Sequence, residues 1–361
     1  MQTTLFTPLQ LGSLQTPNRI FLAPLTRCRA AQGNVPTELN AEYYRQRATA
    51  GLLISEATSV SPRGFGYPNT PGIFTEAQVE GWKKVTGAVH AAGGNIFLQL
   101  WHVGRISHPS YQPDGGLPVA PSSIKPRGNI FTGTAMEDYV APRALDASEI
   151  PGVIAEYVHG AHCAKKAGFD GVEIHNANGY LLDQFLRDGT NQRTDSYGGA
   201  VQNRARLTLE VTRAVVEVWG ADRVGIRLSP GGVFNDMKDS NPLQTFGHVL
   251  RELSPMNLAY AHVTQVTAQD IAHGATSGIG PKELRPYYPG RIVSAGGFTQ
   301  ESGNQALAEG WADAIAFGVP FLSNPDLPER FRRGAALNTP DEATFYASGP
   351  KGYTDYPTLA Q

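Results

Sequence analysis

The chain has 361 residues, of which 41% are apolar and 17% charged, with a net charge of −2 and a pI near 6.5. That balance offers no electrostatic footing for nucleic acid or an anionic membrane. Two cysteines, Cys28 and Cys163, are too few for a disulfide framework, no run approaches the roughly 18 apolar residues of a membrane span, and Met1 to Arg19 lacks the pattern of a signal peptide, so the expectation is a cytoplasmic enzyme with reduced thiols.

Along the chain, short and nearly continuous apolar runs predict strands near Arg19–Ala23, Leu52–Glu56, Ile96–Trp101, Gly171–His175, Val224–Leu228, Tyr260–Thr264, Arg291–Ser294 and Ala312–Phe317. Such runs suit parallel strands buried on both faces. Helical patterns lie between them. Glu76–Ala92 carries a stripe of Val79, Trp82, Val85 and Val89. Ser148–Ala167 starts at a cap on Asp146 or Ser148 and stops at Gly168; Asn203–Trp219 stops at Gly220, and Thr299–Glu309 at Gly310. Eight strands alternating with helices predict a single (β/α)8 TIM barrel spanning 1–361. The alternative, a doubly wound open sheet, lacks its usual Gly-x-Gly-x-x-Gly turn after the first strand. Residues from about 104 to 145 are rich in Pro, Ser and Gly and too long for an ordinary loop. They read as an excursion after the third strand that caps the active-site end.

In this architecture chemistry sits where strands end. Strand four delivers His175, Asn178 and Tyr180. Two donors and a phenol suit a reaction that builds charge on an oxygen and then protonates carbon; alternatively His175 and Asn178 serve only the backbone of their own loop. Arg227 in strand five is costly in a buried strand unless it meets an anion, either a carboxylate or an electron-rich cofactor. Gly296-Gly297 after strand seven and Gly318-Val319 after strand eight match the recurrent phosphate site of this fold, though tight turns use glycine too. Gln99 within strand three offers donor and acceptor edges to a heterocycle. Trp101 either lines a pocket or packs the core. The histidines form no His-x-His or His-Glu-x-x-His pattern, so no catalytic metal is expected, and no Gly-x-Ser-x-Gly elbow is present. The residues alone point to a barrel enzyme that binds a phosphorylated heterocycle and stabilises an oxyanion beside a proton donor.

Several segments together carry a resemblance. They are Asn18-Arg19-Ile20 through Ala23-Pro24-Leu25-Thr26-Arg27, Ala41-Glu42-Tyr43-Tyr44, Ser55-Glu56-Ala57, Leu98 to His102, His175 to Tyr180, Asn191 to Gly199, Asn324-Pro325-Asp326-Leu327 and Gly352 to Pro357. In this order they resemble the old yellow enzyme family over nearly the whole length, with the bacterial N-ethylmaleimide and xenobiotic reductase branch as the nearest likeness. The resemblance implies FMN as bound cofactor and NADPH or NADH as hydride donor. It implies that Pro24, Thr26, Ala57 and Gln99 contact the flavin ring and that Arg227 sits at its N1/C2-carbonyl edge. Gly296, Gly297, Gly318 and Val319 then form the phosphate site. The implied reaction reduces the activated C=C bond of enones, maleimides and nitroalkenes. His175 and Asn178 polarise the substrate oxygen, flavin N5 gives hydride to the β-carbon, and Tyr180 protonates the α-carbon. Tyr67, Trp101 and Tyr346 are the expected aromatic walls, with Thr26 also facing substrate. Nitro-compound or nitrate-ester reduction can use the same site. The expected assembly is a monomer or homodimer.

Two positions depart from the family's pattern. Many members carry His-x-x-His where this chain has His175 and Asn178, and many place Arg where it has Val319. The second departure implies weaker FMN binding. A flavin-free lyase or aldolase should show a strand-end Lys or metal ligands, and a barrel that only binds ligand should lack one of His175, Asn178, Tyr180 or Arg227; neither pattern is found.

Overall fold

The computed structural model describes residues 3–275 and 278–359. Eight parallel strands form the centre: β1 (Ile20–Leu22), β2 (Leu53–Ile54), β3 (Ile96–Trp101), β4 (Gly171–Asn176), β5 (Val224–Leu228), β6 (Tyr260–Thr264), β7 (Ile292–Ala295) and β8 (Ala314–Phe317). Each pairs with the next, and β8 returns to β1 through Ile315–Ile20, Ala316–Phe21 and Phe317–Leu22. That last pairing closes the sheet and removes its edges, so the fold is the expected (β/α)8 barrel and not an open sheet. Helices follow the strands in turn: Glu38–Gln46, Glu76–Ala91, Ile150–Lys166, Arg206–Trp219, Pro242–Leu253, Pro281–Leu284, Gln300–Glu309 and Leu327–Arg333.

Local sequence explains these elements. Helix Glu76–Ala91 starts at a Thr75 capping box completed by Gln78, and its stripe of Val79, Trp82, Val85 and Val89 is buried against the barrel. The helix expected from Ser148 begins with a 3-10 turn, Ala147–Glu149, before Ile150–Lys166. The one expected from Asn203 is preceded by a separate short segment, Val201–Arg204. An antiparallel hairpin of Leu9–Leu11 with Leu14–Thr16 sends Leu9 and Leu11 into the cluster that holds Phe21, Phe97 and Tyr260. Ser13 N donates to the carbonyl of Asp222, just before β5, so the hairpin closes the N-terminal end.

Polarity rises towards the other end of the barrel. Gly171 and Gly225 cede room to rings: a Cβ on either would lie 2.4 Å from Phe97 or Tyr260 respectively. In-register pairing sets Gln99, Glu173, Gly225 and Tyr260 in one row. His175, Arg227, His262 and Val293 form the row above it. The excursion lies over this C-terminal face. Its hairpin, Asn129–Phe131 with Met136–Asp138, places Ile130 in a buried cluster with Tyr139, Trp101 and Tyr180. Arg105 ties the excursion to the loop after β5 by donating to the carbonyls of Ile124, Asn235 and Asp236.

Candidate active site

The upper row and the loop after β4 bring three candidate residues together. His175 is 3% exposed, and its Nδ1 is buried with no hydrogen-bond partner among the described residues. Burial, together with the charge of Arg227 and the neighbouring His262, holds its pKa well below the usual imidazole range, so the ring is neutral. Asn178 sits in the left-handed region at φ 57°. Its backbone N–H donates to Ser229 Oγ at 2.7 Å, and its carbonyl accepts from Asn235 Nδ2 at 2.8 Å. Ser229 and Asn235 thus serve the loop backbone. Among the described residues the side chains of His175 and Asn178 make no hydrogen bond to that loop.

Tyr180 is 8% exposed and lies edge-on to His175, with ring centroids 5.0 Å apart, and to Trp101 at 5.1 Å. Its hydroxyl is 3.1 Å from that of Tyr67, which stacks on Trp101. Burial pushes the Tyr180 phenol up to about 12 against the opposing pull of hydrogen bonds from Tyr67 and Asn235, so it carries its proton throughout the neutral range. Trp101 is fully buried and packs against both Tyr67 and Tyr180. Tyr346 is 69% exposed and makes no ring contact with the other three.

Beneath this group lies a polar cluster. Glu173, wholly buried, accepts from Gln99 Nε2 at 2.6 Å and from His262 Nδ1 at 2.9 Å. Burial raises its carboxyl, but His262, Arg227 and Gln99 together draw it below the ordinary value, so it is ionised. Arg227 forms no ion pair among the described residues, and its Nε is buried without a partner. Neither Glu173 nor His262 emerged from the sequence as a site residue. The signal was the one that exposed Arg227: a charged or polar side chain inside an apolar strand.

The remaining candidates ring the same face. Ala57 is buried and Thr26 half-buried where β2 and β1 end. Arg27 N donates to Glu56 at 3.2 Å. The Arg27 and Arg29 guanidiniums bond carbonyls of the C-terminal segment, including those of Gly352 and Thr344, and lie over the Tyr353 ring. They thereby anchor the stretch that carries Tyr346. After β7, Gly296 and Gly297 have φ 115° and 69°, and a Cβ on Gly296 would lie 2.9 Å from the Gln265 carbonyl oxygen. Gly297 faces open space, Gly318 opens the turn after β8, and Val319 is 43% exposed. No group of three or more His, Cys, Asp or Glu able to hold a metal ion occurs among the described residues, and no described helix is long and apolar enough to cross a membrane.

These groups fit a flavin mononucleotide. An ionised carboxylate only accepts, so Gln99 must turn Nε2 to Glu173 and keep its carbonyl oxygen for a ring N–H. The unpaired Arg227 suits the electron-rich edge of such a ring, and an open glycine backbone suits a phosphate.

Comparison with known proteins agrees with this fit. Residues 4–338 match the NADH:flavin oxidoreductase / NADH oxidase family. The chain is 48% identical to 12-oxophytodienoate reductase 7 of Oryza sativa subsp. japonica, covering 100% of this chain and 96% of that protein. Among solved structures it is similar to morphinone reductase in complex with tetrahydroNAD, with TM-score 0.94, 49% identity and coverage of 99% and 98%. It is also similar to the old yellow enzyme homologue from Zymomonas mobilis, with TM-score 0.95, 47% identity and coverage of 99% and 100%.

Proposed function

The chain belongs to the NADH:flavin oxidoreductase / NADH oxidase family, the old yellow enzyme oxidoreductases, and from that premise we propose that it reduces the activated C=C bond of α,β-unsaturated carbonyl and nitro compounds. FMN, when bound, would supply the hydride chemistry that links NADPH or NADH to the β-carbon of the alkene. Everything else falls to the protein. Pro24, Thr26, Ala57, Gln99 and Arg227 hold the ring, and the glycines at 296, 297 and 318 with Val319 hold the phosphate. His175 and Asn178 donate hydrogen bonds to the substrate's carbonyl or nitro oxygen, which draws electron density from the β-carbon and stabilises the charge that develops. Tyr180 gives its proton to the α-carbon. Tyr67 and Tyr346 flank the substrate, with Trp101 packed against Tyr67.

The observation that carries this reading is the set of free polar groups at one end of the barrel. A neutral His175 with an unpaired Nδ1 lies against a protonated Tyr180, in register with Arg227, whose Nε has no partner among the described residues, and the loop between His175 and Tyr180 carries Asn178. A spectrum of the purified protein tests it. A yellow protein that bleaches anaerobically with NADPH and regains its colour with 2-cyclohexenone is expected; a protein that stays colourless after FMN is added removes the reading.

A further inference from the structure

The strongest feature left unused by this chemistry is the carboxylate of Glu173. It lies wholly buried inside the barrel, one row below His175, Arg227 and His262. An ion in such a place is expensive unless donors and an opposing charge serve it. Here one oxygen takes the Gln99 amide and the other the His262 ring. Because the carboxylate can only accept, it dictates the state of both neighbours. Gln99 turns its N–H down and its carbonyl up. His262 carries its proton on Nδ1 and leaves Nε2, which is buried and unpaired, as an acceptor. Glu173 also faces the charge of Arg227 without pairing to it, so it offsets from below part of the positive field that Arg227 presents above.

We propose that Glu173 is a positioning residue that sets the donor and acceptor pattern offered by Gln99 and His262 and restrains the preference of the site for reduced, negatively charged FMN over oxidised FMN. The inference rests on the functional reading above. Its logic is electrostatic: with the carboxylate gone, Arg227 acts unopposed, and the amide and imidazole are free to reverse. A restrained preference matters to an enzyme that must both fill and empty its flavin in each turnover.

The test is the ratio of dissociation constants for oxidised and reduced FMN, obtained from fluorescence titration of the oxidised cofactor and the midpoint potential of the holoenzyme. In Glu173→Gln the ratio should move towards tighter binding of the reduced form by on the order of tenfold. In Glu173→Asp, which keeps the charge, it should stay within about threefold of wild type. A Glu173→Gln protein that binds FMN with an unchanged ratio overturns the proposal. So does an equal weakening of both forms, the result of a purely structural role. A wild-type protein that binds no FMN sinks the functional reading instead, so the two failures are distinguishable. Nitrogen-15 NMR of wild-type holoenzyme needs no variant: His262 should appear as the neutral Nδ1–H tautomer, and an Nε2–H tautomer or an imidazolium near neutral pH overturns the proposal even if Glu173→Gln does not fold.

Discussion

The phenolic oxygens of Tyr67 and Tyr180 lie 3.1 Å apart, and Tyr67 is the less enclosed of the two. In the proposed reaction Tyr180 gives its proton to the substrate, and Tyr67 is the neighbour placed to return one. Tyr180→Phe keeps the ring against His175 and Trp101 but removes the proton. Flavin reduction by NADPH should stay close to wild type, while reoxidation by 2-cyclohexenone slows by about 10²- to 10⁴-fold. Tyr67→Phe should slow reoxidation by about tenfold and leave flavin reduction unaffected. Stopped-flow absorbance separates the half-reactions; equal losses in both would trace the effect to ring packing.

His175 is held neutral by burial and by Arg227, so its role does not depend on gaining a proton near pH 7. Reoxidation by an enone should accordingly show no inflection at an ordinary histidine pKa of about 6.5. His175→Ala should cost about 10² to 10³ in that half-reaction while the protein stays yellow. A wild-type rate profile with a clear step near that pH, lost in His175→Ala, would show that the imidazolium is the working form.

Much of the barrel was legible because its strands are buried on both faces and read as unbroken apolar runs; all eight appear where Arg19–Ala23 through Ala312–Phe317 placed them. Helix Glu38–Gln46 was not legible. Its buried face is made of Asn40, Ala41, Tyr43 and Tyr44, and tyrosine and asparagine do not register as an apolar stripe. The hairpin at Leu9–Leu11 and Leu14–Thr16 is too short to carry a periodicity, and its burial depends on the barrel end it closes. At the site, strand ends exposed His175, Asn178, Tyr180 and Arg227. Glu173 and His262 were missed because their meaning is relational: they come from β4 and β6, 89 positions apart, and only the curvature of the sheet joins them.

Glu56 gives the fold a pH dependence of its own. It is 1% exposed, and burial raises its carboxyl from 4.5 to about 7 despite the Arg27 backbone N–H and the Arg27 and Arg29 charges. A folded-state pKa above the unfolded one means the native protein holds this proton more tightly. The associated stability is complete below about pH 4.5 and is lost as pH rises through about 7, a difference of about 3 kcal/mol. Glu56→Gln mimics the protonated form. Its melting temperature should exceed that of wild type at pH 8 and match it at pH 5. An equal shift at both pH values would show that the carboxyl's charge is not the cause.

Val319 is the remaining departure from the family's pattern, and the structure gives it room: it is 43% exposed at the start of the short helix Val319–Ser323, directly after Gly318. If the proposed phosphate site is correct, Val at this position supplies no cation to the FMN phosphate and backbone N–H groups carry more of the load. Val319→Arg adds a charge-assisted hydrogen bond of about 1.5–3 kcal/mol, so FMN affinity should rise by roughly ten- to a hundredfold. The gain should shrink as salt is raised, because the position faces solvent. Riboflavin, which has the ring but not the phosphate, is the control and should bind both proteins alike. A similar gain for riboflavin would place the effect on the ring, and a wild-type dissociation constant for FMN already below nanomolar would show that the missing cation costs this protein nothing.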